Sequence, residues 1–258
     1  MIEVISRLGR WSTSQVVGLG RMSFFAGRTA RALVVPPVRG RSIRAAIFDS
    51  GVLSLALICA SGLTVGFVLG LQLYNTLSRF GAEESLGTAV GLSLIRELGP
   101  VLTGLLVAGR AGSATTAEIG AMKATEQLDG LRMMAIDPIH FVVMPRALAL
   151  ALVMPLLSAI FIVCGVGGAY LIGVELLGLD PGSYLANLES AIHFREDVLQ
   201  SLVKSVVFGM LLGWIATWRG YSCEPHAAGV SRATTSTVVT ASVAILLADY
   251  ALTAFWAL

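Results

Sequence analysis

The chain has 258 residues, 55% hydrophobic and 13% charged, with a formal net charge of +2 and a mean hydropathy of +0.80. Soluble domains carry about 25% charged residues, so this composition excludes an ordinary soluble globule. Disordered, collagen-like and disulfide-scaffold chains are excluded too, and the near-neutral charge offers nucleic acid no electrostatic footprint. The chain reads as a polytopic membrane protein.

The first fifty residues hold eight arginines against Glu3 and Asp49 and are too polar to span. Wound as a helix over Ile5–Leu33, Arg7, Arg10, Arg21, Arg28 and Arg31 fall within about 120° of arc. Ile5, Leu8, Trp11, Leu19 and Met22 lie on the other side. A basic face opposite an apolar face with tryptophan predicts an interfacial helix on the inner leaflet, in a region covering residues 1–45. A cytoplasmic helix packed on a partner has the same pattern. Pro36 and Pro37 end it. The first long apolar run begins near Val52, too far in for a signal-peptide core.

Five segments are long and apolar enough to cross a bilayer: 52–74, 86–108, 147–174, 198–218 and 234–256. Pro155 predicts a kink in the third, which neighbouring helices can satisfy. With the N-terminus cytoplasmic, fourteen of the eighteen basic residues fall on the cytoplasmic side. The positive-inside rule therefore places the C-terminus outside. Cys59, Cys164 and Cys223 read as small structural residues.

Within the spans, glycines recur at four-residue spacing: Gly62, Gly66 and Gly70, then Gly87 and Gly91, then Gly209 and Gly213. Such faces let backbones approach closely; the first stripe also suits the border of a path for a bulky substrate. Four charges lie inside spans: Arg96, Glu97, Lys204 and Asp249. Charges at that depth are expensive, which makes them functional candidates. Lys204 and Asp249 match in depth from the outer side, so an ion pair is expected, either structural or in a gating role. Arg96 and Glu97 are adjacent, point about 100° apart and cannot face one direction. Either one faces an aqueous or headgroup-lined cavity, or neighbouring helices neutralise each.

Between the second and third spans runs a mixed-charge loop, Arg110–Arg146, helix-compatible over 116–135 and stopped at Asp137-Pro138. It serves either to dock a soluble partner or as an amphipathic connector. Neither Lys123 nor Lys204 follows a glycine, so a phosphate-binding GxxxxGK[ST] loop is missing and the chain has no such route to ATP hydrolysis. There is no HExxH or GxSxG, and His140, His193 and His226 lack metal-ligand spacing. No catalytic site or metal site is expected.

The stretch SLIRELGPVLTGLLVAGRAGSATTAEIGAMKATEQLDGLRMMAIDP (Ser93–Pro138) resembles the permease subunits of Mla/Mce-type ABC transporters, which move phospholipids between bacterial inner and outer membranes. LVKSVVFG (Leu202–Gly209) and GVSRATTSTVV (Gly229–Val239) match the same family. The resemblance covers nearly the whole chain and implies a single all-α permease domain over 1–258. That domain has an N-terminal interfacial helix, five transmembrane helices and a cytoplasmic coupling helix. It implies a homodimer in the bacterial inner membrane, N-terminus cytoplasmic and C-terminus periplasmic, with phospholipid as ligand in a cavity at the dimer interface. It implies three further partners: an ABC ATPase that binds ATP and Mg, a hexameric Mce-domain substrate-binding protein, and a STAS-domain protein held through the ATPase.

By the resemblance, Arg96 and Glu97 face the lipid cavity, and Leu69, Leu73 and Leu77 contact lipid tails. Lys204 and Asp249 are the family's buried charges. The coupling helix, Glu118–Met134 by position, meets the ATPase through Glu118, Lys123, Glu126, Leu128, Arg132 and Met133. The chain itself then needs no cofactor. An ion-coupled secondary transporter using the buried charges is the competing expectation.

Overall fold

A computed structural model describes Gly20, residues 22–32 and residues 40–257. The interfacial helix expected over Ile5–Leu33 therefore lies mostly outside the described residues, though 22–32 is helical. Among the described residues there is no strand.

Five long helices carry the fold: α1 (Gly40–Phe80), α2 (Glu83–Ala124), α4 (Ile139–Leu176), α6 (Phe194–Ser222) and α7 (Ala227–Trp256), each long and apolar enough to cross a membrane. A short α3 (Gln127–Met133) joins α2 to α4, and α5 (Pro181–Ala191) joins α4 to α6. Asp180 caps α5, accepting the Ser183 N–H at 2.7 Å, with Pro181 at the first helical position.

The helices outrun the expected spans because hydropathy marks only the part inside the bilayer. α2 has 42 residues, about 60 Å at the usual rise and twice the hydrocarbon thickness. The expected boundary near residue 108 is therefore not a helix end. Nor is 116–135 one coupling helix. α2 continues to Ala124, and Glu126 turns left-handed at φ 59° before α3 begins. Ala135, at φ 58°, ends the second turn of this corner. α1 likewise starts at Gly40, inside the region assigned to the interfacial helix, and turns at Gly51 before its apolar run. Arg110 sits inside α2, not in a loop, and its Nη1 donates to the Asp49 carbonyl at 2.7 Å and to Ser54 Oγ at 2.9 Å. It pins α2 to the turn in α1.

α4 is the hub. Gly62, Gly66 and Gly70 press α1 onto it: a Cβ at Gly66 would fall 2.0 Å from the Gly165 carbonyl oxygen. Gly209 and Gly213 press α6 onto its other side, against Ala151 and Ala147. The first stripe is thus packing within the chain. The core gathers Ile58, Leu94, Leu157, Phe161, Phe208 and Ile245 from five helices. Nearer the arginine-rich side, the buried Thr116 Oγ1 meets Thr237 at 2.9 Å and the Ala216 carbonyl at 3.0 Å, tying α2, α6 and α7.

Candidate functional site: a buried charge cluster

Two irregular turns create the site. α2 widens into a π-type turn at Leu94–Leu98, and α6 opens with another at Phe194–Val198. Such turns leave carbonyls without regular partners and concentrate at functional positions. Pro100 adds to this, having no N–H to offer the Arg96 carbonyl four residues earlier. Lys204 of α6 takes that carbonyl at 3.0 Å.

Lys204 is 1% exposed. Its Nζ also donates to Glu97 Oε2 at 2.7 Å and to Thr253 Oγ1 at 2.7 Å, and it lies 3.0 Å from Asp249 Oδ1. Thr253 in turn donates to Glu97 Oε1 at 3.2 Å. Arg96 turns the other way, its Nε donating to Asp197 Oδ1 at 2.5 Å. Asp197 is fully buried, and its second oxygen accepts the His193 N–H at 2.7 Å. Three helices therefore converge on one network. With all groups ionised, two cations face three carboxylates, leaving one negative charge in excess.

Burial divides this network. Lys204 and Asp197 are enclosed, whereas the side chains of Arg96 and Glu97 are 45% and 41% exposed. A guanidinium and a carboxylate thus stand at the edge of an otherwise apolar bundle, each anchored from behind by an enclosed opposite charge. Buried ions at membrane depth persist only when matched in this way.

The expected Lys204–Asp249 pair forms. Sequence reasoning missed that Glu97 and Thr253 share the lysine, and did not single out Asp197. A signal existed: Asp197 precedes Lys204 by seven residues, two helical turns, so both occupy one face. Leu69, Leu73 and Leu77 are half-buried against the core, while Phe67, Val68 and Leu71 are the more exposed side chains of that stretch.

At the other end of the bundle the six expected docking residues separate. Glu118 accepts two bonds from Arg146 of α4, at 2.6 and 3.0 Å. Lys123 Nζ donates to the carbonyls of Tyr221 and Cys223, at 3.0 and 2.8 Å, closing the C-terminus of α6. Leu128 is buried. Arg132 donates to the Tyr221 hydroxyl at 2.6 Å and to Asp129 at 2.5 Å. These partners, Tyr221 first, push its pKa above the ordinary value. Glu126 is exposed, and Met133 stands 89% exposed beside Met134 at 64%.

The fold and the cluster define a class: a five-span helical membrane protein whose charges are matched across three helices at one end. The family model described as Permease MlaE matches residues 43–255. The chain belongs to the MlaE permease family. It is 52% identical over 204 residues, 79% of this chain and 78% of the relative, to the "Intermembrane phospholipid transport system permease protein MlaE" of Haemophilus influenzae. A "Probable ABC transporter permease protein" of Rickettsia felis is 39% identical over 98% of this chain and 97% of its own length. The chloroplastic "TRIGALACTOSYLDIACYLGLYCEROL 1" protein of Arabidopsis thaliana is 30% identical over 96% of this chain and 71% of its own length.

Proposed function

We propose that the chain is the transmembrane permease of an ABC system that moves phospholipids between the inner and outer membranes. It works as a homodimer in a bacterial inner membrane, with the arginine-rich end cytoplasmic and the C-terminus periplasmic. The observation that carries the reading is the half-exposed pair Arg96 and Glu97. A zwitterionic headgroup needs one cation and one anion, both fixed in place, and this pair supplies them at the edge of an apolar bundle. The similarity to the Haemophilus permease supports phospholipid as the substrate.

Lipid tails need an apolar receiver, because each CH₂ drawn out of hydrocarbon costs about 0.8 kcal/mol. The exposed apolar positions of α1 and α7, with Leu69, Leu73 and Leu77 behind them, form half of that receiver, and a second copy forms the other half. Energy comes from a separate ATPase, which binds ATP and Mg. α3 and its two left-handed corners receive that ATPase, through Glu126, Met133 and Met134, while Glu118, Lys123 and Arg132 hold the corner rigid from inside. ATP-driven movement of the corner then rocks α2 against α6, where the charge cluster lies. The Mce-domain and STAS-domain proteins complete the assembly.

The test is reconstitution of the chain with its ATPase and periplasmic partner, followed by transfer of a fluorescent phospholipid. Arg96→Lys, which keeps a cation for the enclosed Asp197, and Glu97→Gln, which leaves Lys204 with Asp249, should each lower ATP-dependent transfer by about tenfold, the loss of one charged hydrogen bond, with assembly intact. Transfer that ignores both changes, or that runs on an ion gradient without ATP, would replace this reading with the ion-coupled transporter.

A further inference from the structure

A second site lies at the opposite, arginine-rich end. Between α4 and α6, beneath helical residues 22–32, runs a groove of about 530 Å³, within the size range of small-molecule sites. Thr29, Leu148, Leu152, Pro155, Met210 and Trp214 are among its walls. Along α6 it extends from Val206 to Trp214, about 12 Å of helix. It opens sideways out of the bundle, where Leu152 and Met210 stand 49% and 54% exposed.

Two of its wall residues carry unmet hydrogen-bonding groups: Trp214 Nε1 and Thr29 Oγ1 are buried without a partner among the described residues. Both can donate. An unsatisfied donor at membrane depth is costly, so an occupant with acceptor oxygens beside its hydrocarbon is favoured over hydrocarbon alone. The helix above the groove carries Arg28 and Arg31, both exposed; Arg28 lies 3.6 Å from Asp137. Their charge complements a phosphate.

We infer that this groove binds one acyl chain of a glycerophospholipid from the arginine-side leaflet. Trp214 and Thr29 hydrogen-bond to the oxygens at the head of that chain, and the arginines of residues 22–32 face its phosphate. The site is separate from the charge cluster and does not depend on the transport reading.

The full chain with its membrane partners is reconstituted, without ATP, in vesicles of phosphatidylethanolamine and phosphatidylglycerol. The vesicles contain a trace of phospholipid with a photoactivatable acyl chain, and labelled peptides are identified by mass spectrometry. Labelling of 147–155 and 206–214 should saturate with probe and exceed that of the stretch of α4 between the exposed Val163 and Leu171. Met210→Trp and Ala30→Phe, which fill the groove from its rim, should abolish the excess with thermal stability unchanged. Trp214→Phe should lower labelling by the phospholipid about fivefold, the worth of one hydrogen bond. It should not lower labelling by a photoactivatable hydrocarbon lacking ester oxygens. Equal labelling of the groove and the 163–171 stretch, indifference to the filling variants, or cross-links joining two copies of the chain would overturn the proposal.

Discussion

Lys204 and Lys123, the chain's two lysines, show how position sets what a charge requires. Lys204 lies inside the bundle and is met by two carboxylates, a hydroxyl and one carbonyl. Lys123 lies at a helix end and, among the described residues, is met by the carbonyls of Tyr221 and Cys223. Inside the bundle no water shares the charge, so formal counter-charges must. At a helix C-terminus the orphan carbonyls and the negative dipole end suffice. The same residue type therefore builds a site in one place and a cap in the other.

The largest expected effect comes from removing the enclosed amine. Lys204→Met leaves Glu97 and Asp249 facing each other and should cost about 3–5 kcal/mol. Thermal unfolding in detergent should show a large drop; a variant of wild-type stability would mean that the cluster is not matched as described. Gly66→Ala comes next. Its Cβ would fall 2.0 Å from the Gly165 carbonyl oxygen, so α1 must lift from α4, at about 1–3 kcal/mol. Gly167→Ala, which meets nothing within 4 Å, should be silent in the same measurement.

Lys123→Met should cost less than Lys204→Met, about 1–2 kcal/mol for two bonds to neutral carbonyls. Its effect should show as faster hydrogen exchange at the end of α6, with Lys123→Arg restoring protection. If Lys123→Met proves as damaging as Lys204→Met, the contrast between the two lysines fails. Glu118→Gln should have the smallest effect on stability, below about 1 kcal/mol, as for half-exposed ion pairs. A larger change in unfolding temperature would make the Glu118–Arg146 pair a support of the fold.

Much of this was legible in the chain. Five apolar runs, separated by charged segments, specified five crossings, because hydrocarbon excludes unpaired backbone and leaves helices as the available solution. The depth of Lys204 and Asp249 specified their pairing. The reach of α2 was not legible: the charges from Arg110 onward mark where lipid ends, but helical periodicity continues past that edge and nothing near residue 108 marks where the helix ends.

The sequence by itself determined the class, the number of crossings and the presence of charges that demand partners. Beyond the Lys204–Asp249 pair, only the tertiary structure decided which partners they take. Arg96 and Glu97 are neighbours, yet one pairs with Asp197 and the other with Lys204, because the wide turn at Leu94–Leu98 and the missing N–H of Pro100 reshape α2 where α6 and α7 meet it. Likewise, the Gly62–Gly70 stripe promised a close approach without naming the neighbour. Spacing along one helix records which residues share a face, whereas the helix that covers that face is set by packing across the whole bundle.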